Sequence, residues 1–161
     1  MLLEFEDGSW IEYKKLTVRG LELLRKGRVI EALPFHIIRW SEDVPINVKT
    51  CGMLDPKVVE ELRRKLLESA EPILSLDKQI LKRWLTLMLK GQTIRTSDRE
   101  IFLEIQQNYF QYALLYTDHK GNIINLPEQG GILDQPVDWM FFLLAFKTSF
   151  VEELANNNKG R

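Results

Sequence analysis

The chain is short of the residue types that most chemistry requires. Its 161 residues include one cysteine, Cys51, and two histidines, His36 and His119. A lone thiol rules out an intrachain disulfide and suits a reducing compartment. No His/Cys cluster has zinc-ligand spacing, so no metal site is expected. Cys51 has no Cys-x-x-Cys partner and only Lys49 close by, so it reads as a small hydrophobe near a loop rather than a nucleophile. His36, within LPFHIIRW, reads as a packing residue and His119 as a solvated turn residue. Gly130-Gly131 lacks the Gly-Lys-Ser/Thr continuation of a phosphate loop. Asp55, Asp77, Asp98 and Asp134 each precede a predicted helix, so capping accounts for them better than acid–base catalysis. The expectation is a protein with no catalytic residues, no cofactor and no metal.

An excess of one charge is also missing. The 22 basic and 23 acidic residues leave a net charge of −1, which speaks against a dedicated nucleic-acid binder. Two local basic groups, Arg19/Arg25/Lys26/Arg28 and Arg63/Arg64/Lys65, have glutamates beside them and read as solvated helix faces. No candidate recognition helix shows a polar face suited to base edges. Long hydrophobic runs are absent as well. A membrane-spanning helix needs roughly 20 apolar residues, and the longest run, Met140–Phe146, has seven and is closed by Lys147. The opening MLLEFEDG has no basic region ahead of an apolar stretch and is not a secretory signal. These absences point to a soluble, intracellular protein with no membrane partner.

What is present suffices for a core: 45% hydrophobic residues, with 28% charged residues to cover it. Asp7-Gly8 between Leu2–Glu6 and Trp10–Lys14 predicts a hairpin whose face of Leu3, Phe5, Ile11 and Tyr13 needs helices against it. Thr17 caps a helix expected over Val18–Leu33, with Leu21, Leu24, Ile30 and Leu33 inward and a weak point at Gly27. A short apolar segment, Phe35–Trp40, follows Pro34, and Ser41–Thr50, with Pro45, reads as a loop. Asp55-Pro56 opens a helix to about Ala70 with a Val58, Val59, Leu62, Leu66, Leu67 stripe. Asp77 or Ser75 opens another, Lys78–Lys90, stopped by Gly91. Ser97-x-x-Glu100 fits a capping box for the longest helix, to about Tyr116, with Ile101, Phe102, Ile105, Tyr109, Tyr112 and Leu115 or Tyr116 on one face. The tail, Asn156–Arg161, is polar and expected to fray.

The fold class expected from this pattern is mainly α: a bundle of about five helices with an N-terminal β-hairpin. The proline-marked stretch Ser69–Asp77 is the one plausible seam. It divides residues 1–72, a hairpin-plus-helices part, from residues 73–161, a helical part, the two sharing one core.

The segment Leu126–Phe150 stands apart. Gly130 and Gly131 form a turn, Asp134 is placed to cap a helix and Pro136 to sit in its first turn. The helix is apolar all round, so it is either the central helix of the bundle or a surface for a partner. In the second case Trp139, Phe142, Phe146 and Phe150 carry the contact, since aromatics dominate both cores and interface hot spots.

PEQGGILDQPVDWM, Pro127–Met140, resembles a P-x-x-GG-[LI]-L-D-Q-P signature of small tailed-bacteriophage proteins encoded among the tail genes and described as tail assembly proteins or chaperones. DGSWIEYKKLT (Asp7–Thr17), IIRW (Ile37–Trp40), VPIN and LDP-x-VVEEL are similar to a second pattern in phage tail-region proteins. The resemblance implies a non-enzymatic assembly factor that binds apolar helices of a tape-measure protein, acting in the host cytoplasm or carried into the virion, with homo-oligomerisation open. A structural virion subunit (head–tail connector or tail terminator) and a small nucleic-acid-binding regulator are the alternatives.

Overall fold

The computed structural model describes residues 1–44, 54–95 and 97–160. Cys51, Pro45 and most of the VPIN segment lie outside them. The fold is mainly α with a small N-terminal β-sheet. The described residues group into two compact units, 1–71 with 130–137, and 72–129 with 138–161.

In the first unit, β1 (Leu2–Glu4) and β2 (Trp10–Tyr13) form the expected antiparallel hairpin, with Leu3 opposite Ile11. The Asp7 carboxylate accepts from the Ser9 amide at 2.9 Å, and Gly8 takes φ +83°, the left-handed conformation the tight turn demands. Ile11 and Tyr13 are buried while Trp10 and Glu12 are only half-buried, the period of two that marks a sheet with one face covered. The apolar segment after Pro34 becomes a third strand, β3 (Ile37–Trp40), antiparallel to β2 with Ile11 opposite Trp40. The sheet order is β1-β2-β3. Ile37-Ile38 is β-branched, and pairing with β2 meets its backbone needs. That long-range partner has no local signature.

The expected helix Val18–Leu33 is two pieces, α1 (Val18–Arg25) and α2 (Val29–Ala32), followed by a 3-10 turn, Leu33–Phe35. Gly27, at φ +72°, ends α1, and the Arg28 amide turns back to the Leu23 carbonyl at 3.0 Å. The redirected chain leaves Ile30 exposed rather than in the core, while Leu21, Leu24 and Leu33 are buried as the pattern predicts. Helix α3 (Pro56–Glu68) starts at Asp55, whose carboxylate accepts from the Lys57 amide at 2.7 Å, and buries Leu62 and Leu66.

A short helix, α4 (Glu71–Leu74), stands at the division between the units. The second unit contains α5 (Lys78–Leu89), capped by Asp77 through the Gln79 amide at 2.8 Å. Next come α6 (Arg99–Ile105), a π-helical turn (Gln106–Phe110) and α7 (Gln111–Tyr116). Asp98, not Ser97, occupies the N-cap position of α6. The π-helical turn shifts the buried face of the helix that follows it. An extra residue per turn advances the inward position by one, so Ala113 is buried while Tyr112 and Leu115 are exposed. Helix α8 (Val137–Lys159) completes the unit and continues through the stretch expected to fray. Its core cluster joins Leu81, Trp84, Leu85 and Met88 of α5 to Phe102, Ile105, Tyr109 and Ala113, and to Phe142, Leu143 and Phe146 of α8.

Candidate functional site

The Gly130–Pro136 turn is built almost wholly from hydrogen bonds. A 3-10 turn over Ile132–Asp134 is closed by the Asp134 amide on the Gly131 carbonyl at 3.0 Å. In return the Asp134 carboxylate accepts from the Gly131 amide at 3.3 Å, and it lies 3.5 Å from the Arg19 guanidinium. Gly130 has φ +109°, and a Cβ added there would come within 3.1 Å of the Asp134 side chain. Asp134 therefore closes this turn and does not cap the last helix. Pro136 sits one residue ahead of α8, bridged to Thr17, rather than in the helix's first turn.

Sequence reasoning passed over Gln135, the hub of this turn. It is fully buried; its side-chain amide donates to the Gly131 carbonyl at 3.2 Å and its own carbonyl accepts from the Val18 amide at 3.0 Å. Only the packing against α1 makes a buried glutamine useful here, and a glutamine between a cap-like Asp and a proline carries no local sign of it. The Val137 amide donates to the Leu16 carbonyl at 2.8 Å on the same side. With its backbone tied this way, the turn holds Ile132 and Leu133 outward, 61% and 44% exposed.

His36 supports the same corner from beneath. Its Nδ1 donates to the Ala32 carbonyl at 2.8 Å, leaving Nε2 to accept from the Thr17 amide at 3.1 Å. Burial pushes its pKa below the ordinary value, and Lys14 adds to the effect against the opposing Ala32 hydrogen bond. Gly20 is required above the ring, because a Cβ there would lie 2.1 Å from the imidazole. Thr17 caps α1 through the Gly20 amide at 3.1 Å. The packing role expected for His36 is thus a neutral, two-bond clamp.

The four aromatics singled out on α8 line one face of the second unit's core. Phe142 and Phe146 are fully buried, their ring centroids 6.3 Å apart, and Phe146 stacks on half-buried Phe150 at 5.7 Å. Half-buried Trp139 meets Tyr109 at 4.9 Å and Tyr116 at 5.2 Å. The Tyr109 hydroxyl donates to buried Asp138 at 2.7 Å. Burial and the adjacent carboxylate hold that phenol well above its ordinary pKa. In this arrangement Phe142 and Phe146 offer no surface to a partner. The large apolar residues that α8 does expose are Leu144, Val151 and Leu154.

The basic groups meet carboxylates: Arg63 with Glu60 at 3.0 Å, Arg64 with Glu61 and Glu68, Lys65 with Glu68 at 3.7 Å, Lys26 with Glu22 at 3.1 Å and Arg28 with Glu31. Among the described residues no group of three or more His, Cys, Asp or Glu side chains could hold a metal ion, and no helix is long and apolar enough to cross a membrane. No protein-family model matches the chain, and no curated protein or solved structure matches it significantly.

Proposed function

We propose that this chain is a non-enzymatic protein of bacteriophage tail assembly that binds helical segments of a tape-measure-like partner in the host cytoplasm. The observation that carries the reading is the Gly130–Pro136 turn. The residues through which the chain resembles tail assembly proteins spend their hydrogen bonds on one another and on α1, and the two apolar side chains between them face outward. A rigid turn presenting two apolar side chains suits protein–protein contact, because little conformational entropy is lost when it docks.

The test is co-expression with the longest helical open reading frame of the same gene neighbourhood. Capture of that product, together with absence of this chain from finished particles, is the expected result. Stoichiometric presence in particles would replace the reading with that of a structural virion subunit. Salt-sensitive retention of DNA, lost on changing Arg63, Arg64 and Lys65, would replace it with that of a nucleic-acid-binding regulator.

A further inference from the structure

Helices α5 and α8 border a groove of about 350 Å³. Leu81, Phe141, Leu144 and Ala145 give it an apolar wall, and exposed Lys78 and Lys82 stand beside them. Helix α5 carries Lys78, Lys82 and Arg83 and no carboxylate, in a chain whose net charge is −1. Lys78 lies 5.8 Å from the centre of the Phe141 ring, and among the described residues no carboxylate forms a salt bridge with it. Lys82 meets Glu152 at 3.0 Å, but both side chains are about half exposed, so an incoming carboxylate can compete for it.

The groove continues into a strip. Leu144 is 55% exposed, Val151 stands seven residues on and Leu154 three beyond that, both exposed. These are coiled-coil seam spacings, and at ~1.5 Å per residue the strip runs about 15 Å along the axis. Its natural complement is another helix laid alongside.

We propose that the α5–α8 groove and its strip receive an amphipathic helix of a protein partner whose apolar anchors are flanked by Asp or Glu. This rests on the reading of the chain as a binder of helical clients and names the client's chemistry. Apolar anchors fill the groove, and carboxylates meet Lys78 and Lys82 at its edge. A second copy of this chain would bring its own Glu152 and Glu153 along with Lys147 and the α5 lysines, so homodimerisation is the competing outcome that sedimentation must separate from capture of an acidic helix.

Two synthetic helical peptides of about three heptads provide the probe, with leucines at the seam positions. One carries Glu and the other Lys at the flanking positions, and binding to the full chain is followed by fluorescence anisotropy. The Glu peptide binds at least tenfold more tightly than its Lys twin, and raised salt weakens it. Leu144→Asp removes that binding while leaving the thermal unfolding curve in place, because Leu144 is largely solvent-exposed. Lys78→Glu with Lys82→Glu reverses the preference between the peptides. Equal binding of the two peptides, or full binding by Leu144→Asp, overturns the proposal. So does concentration-dependent dimerisation in sedimentation that Leu144→Asp abolishes, which assigns the strip to a second copy. Peptide binding without capture of the neighbouring helical product would sink the tail-assembly reading and leave the groove assignment standing. Capture of that product undiminished by Leu144→Asp would do the reverse.

Discussion

Two adjacent stretches of this chain treat their apolar residues in opposite ways. In Gly130–Pro136 the polar and glycine residues are bonded or buried, and Ile132 and Leu133 are left outside. In α8 the aromatic face turns inward, with Phe142, Leu143 and Phe146 fully buried, and only Leu144, Val151 and Leu154 among its large apolar residues are exposed. The difference lies in how each backbone satisfies itself. A long helix pairs its own amides and carbonyls, so its side chains are free to follow the hydrophobic gradient. A short turn must find partners elsewhere, and here Asp134 and Gln135 supply them at the cost of turning the intervening apolar side chains outward. Hydrophobicity alone therefore does not say which residues form the core and which stay exposed.

The contrast breaks most sharply at Phe142. Phe142→Ala removes a fully buried ring from the stack and is expected to lower stability by about 3–5 kcal/mol in urea unfolding, whereas Leu144→Ala, two residues on, changes it by under about 0.5 kcal/mol. Equal losses at the two sites would contradict the inward and outward faces described for α8.

Acid distinguishes the turn from the aromatic stack. The folded-state pKa of His36 is depressed, so the unfolded chain takes up the proton first. The associated stability is fully present above the unfolded pKa near ~6.5 and is lost as pH falls below it, with a slope of up to about 1.4 kcal/mol per pH unit. A protonated Nε2 can no longer accept from Thr17, so protection of the Val18 and Val137 amides against hydrogen exchange should fall as the pH drops below about 6.5. His36→Gln should flatten this dependence. Persistence of the full dependence in that variant would place its origin elsewhere.

Gly130→Ala puts a side chain at φ +109° and 3.1 Å from Asp134. A loss of about 1–2 kcal/mol is expected by chemical denaturation. No change would mean that the turn relaxes without cost. The smallest effect belongs to Ile132→Ser with Leu133→Ser. Both side chains are outside, so stability should move by no more than about 0.5 kcal/mol while capture of a helical client falls. A large fall in melting temperature would show instead that these side chains are part of the fold.

Most local structure was legible in the chain. Asp7-Gly8 announced the hairpin, Asp55-Pro56 and Asp77 announced their helices, and all three do what their chemistry predicts. The failures share one cause. The third strand exists because β2 pairs with it, and Asp134 takes its altered role because Arg19 and the Gly131 amide lie beside it, while nothing local marks the π-turn of 106–110. Each depends on residues far along the chain or on a geometry of less than a turn, which propensity does not record. The candidate site divides the same way. Gly130 and Gly131 were visible as turn residues, while the turn-closing role of Asp134, the burial of Gln135 and the outward faces of Ile132, Leu133 and Leu144 were not.

By itself, then, the sequence determined the elements: a mainly helical protein with an N-terminal hairpin, caps at particular aspartates, and a last helix too apolar to stand alone in water. Those outcomes follow from local sterics, capping and periodicity, which act within a few residues. Only the tertiary structure decided which side of that helix is core. It assigned Phe142 and Phe146 to the interior and left Leu144, Val151 and Leu154 to solvent. A helix that is apolar all round has no preferred face until its neighbours choose one, and that choice is made by packing.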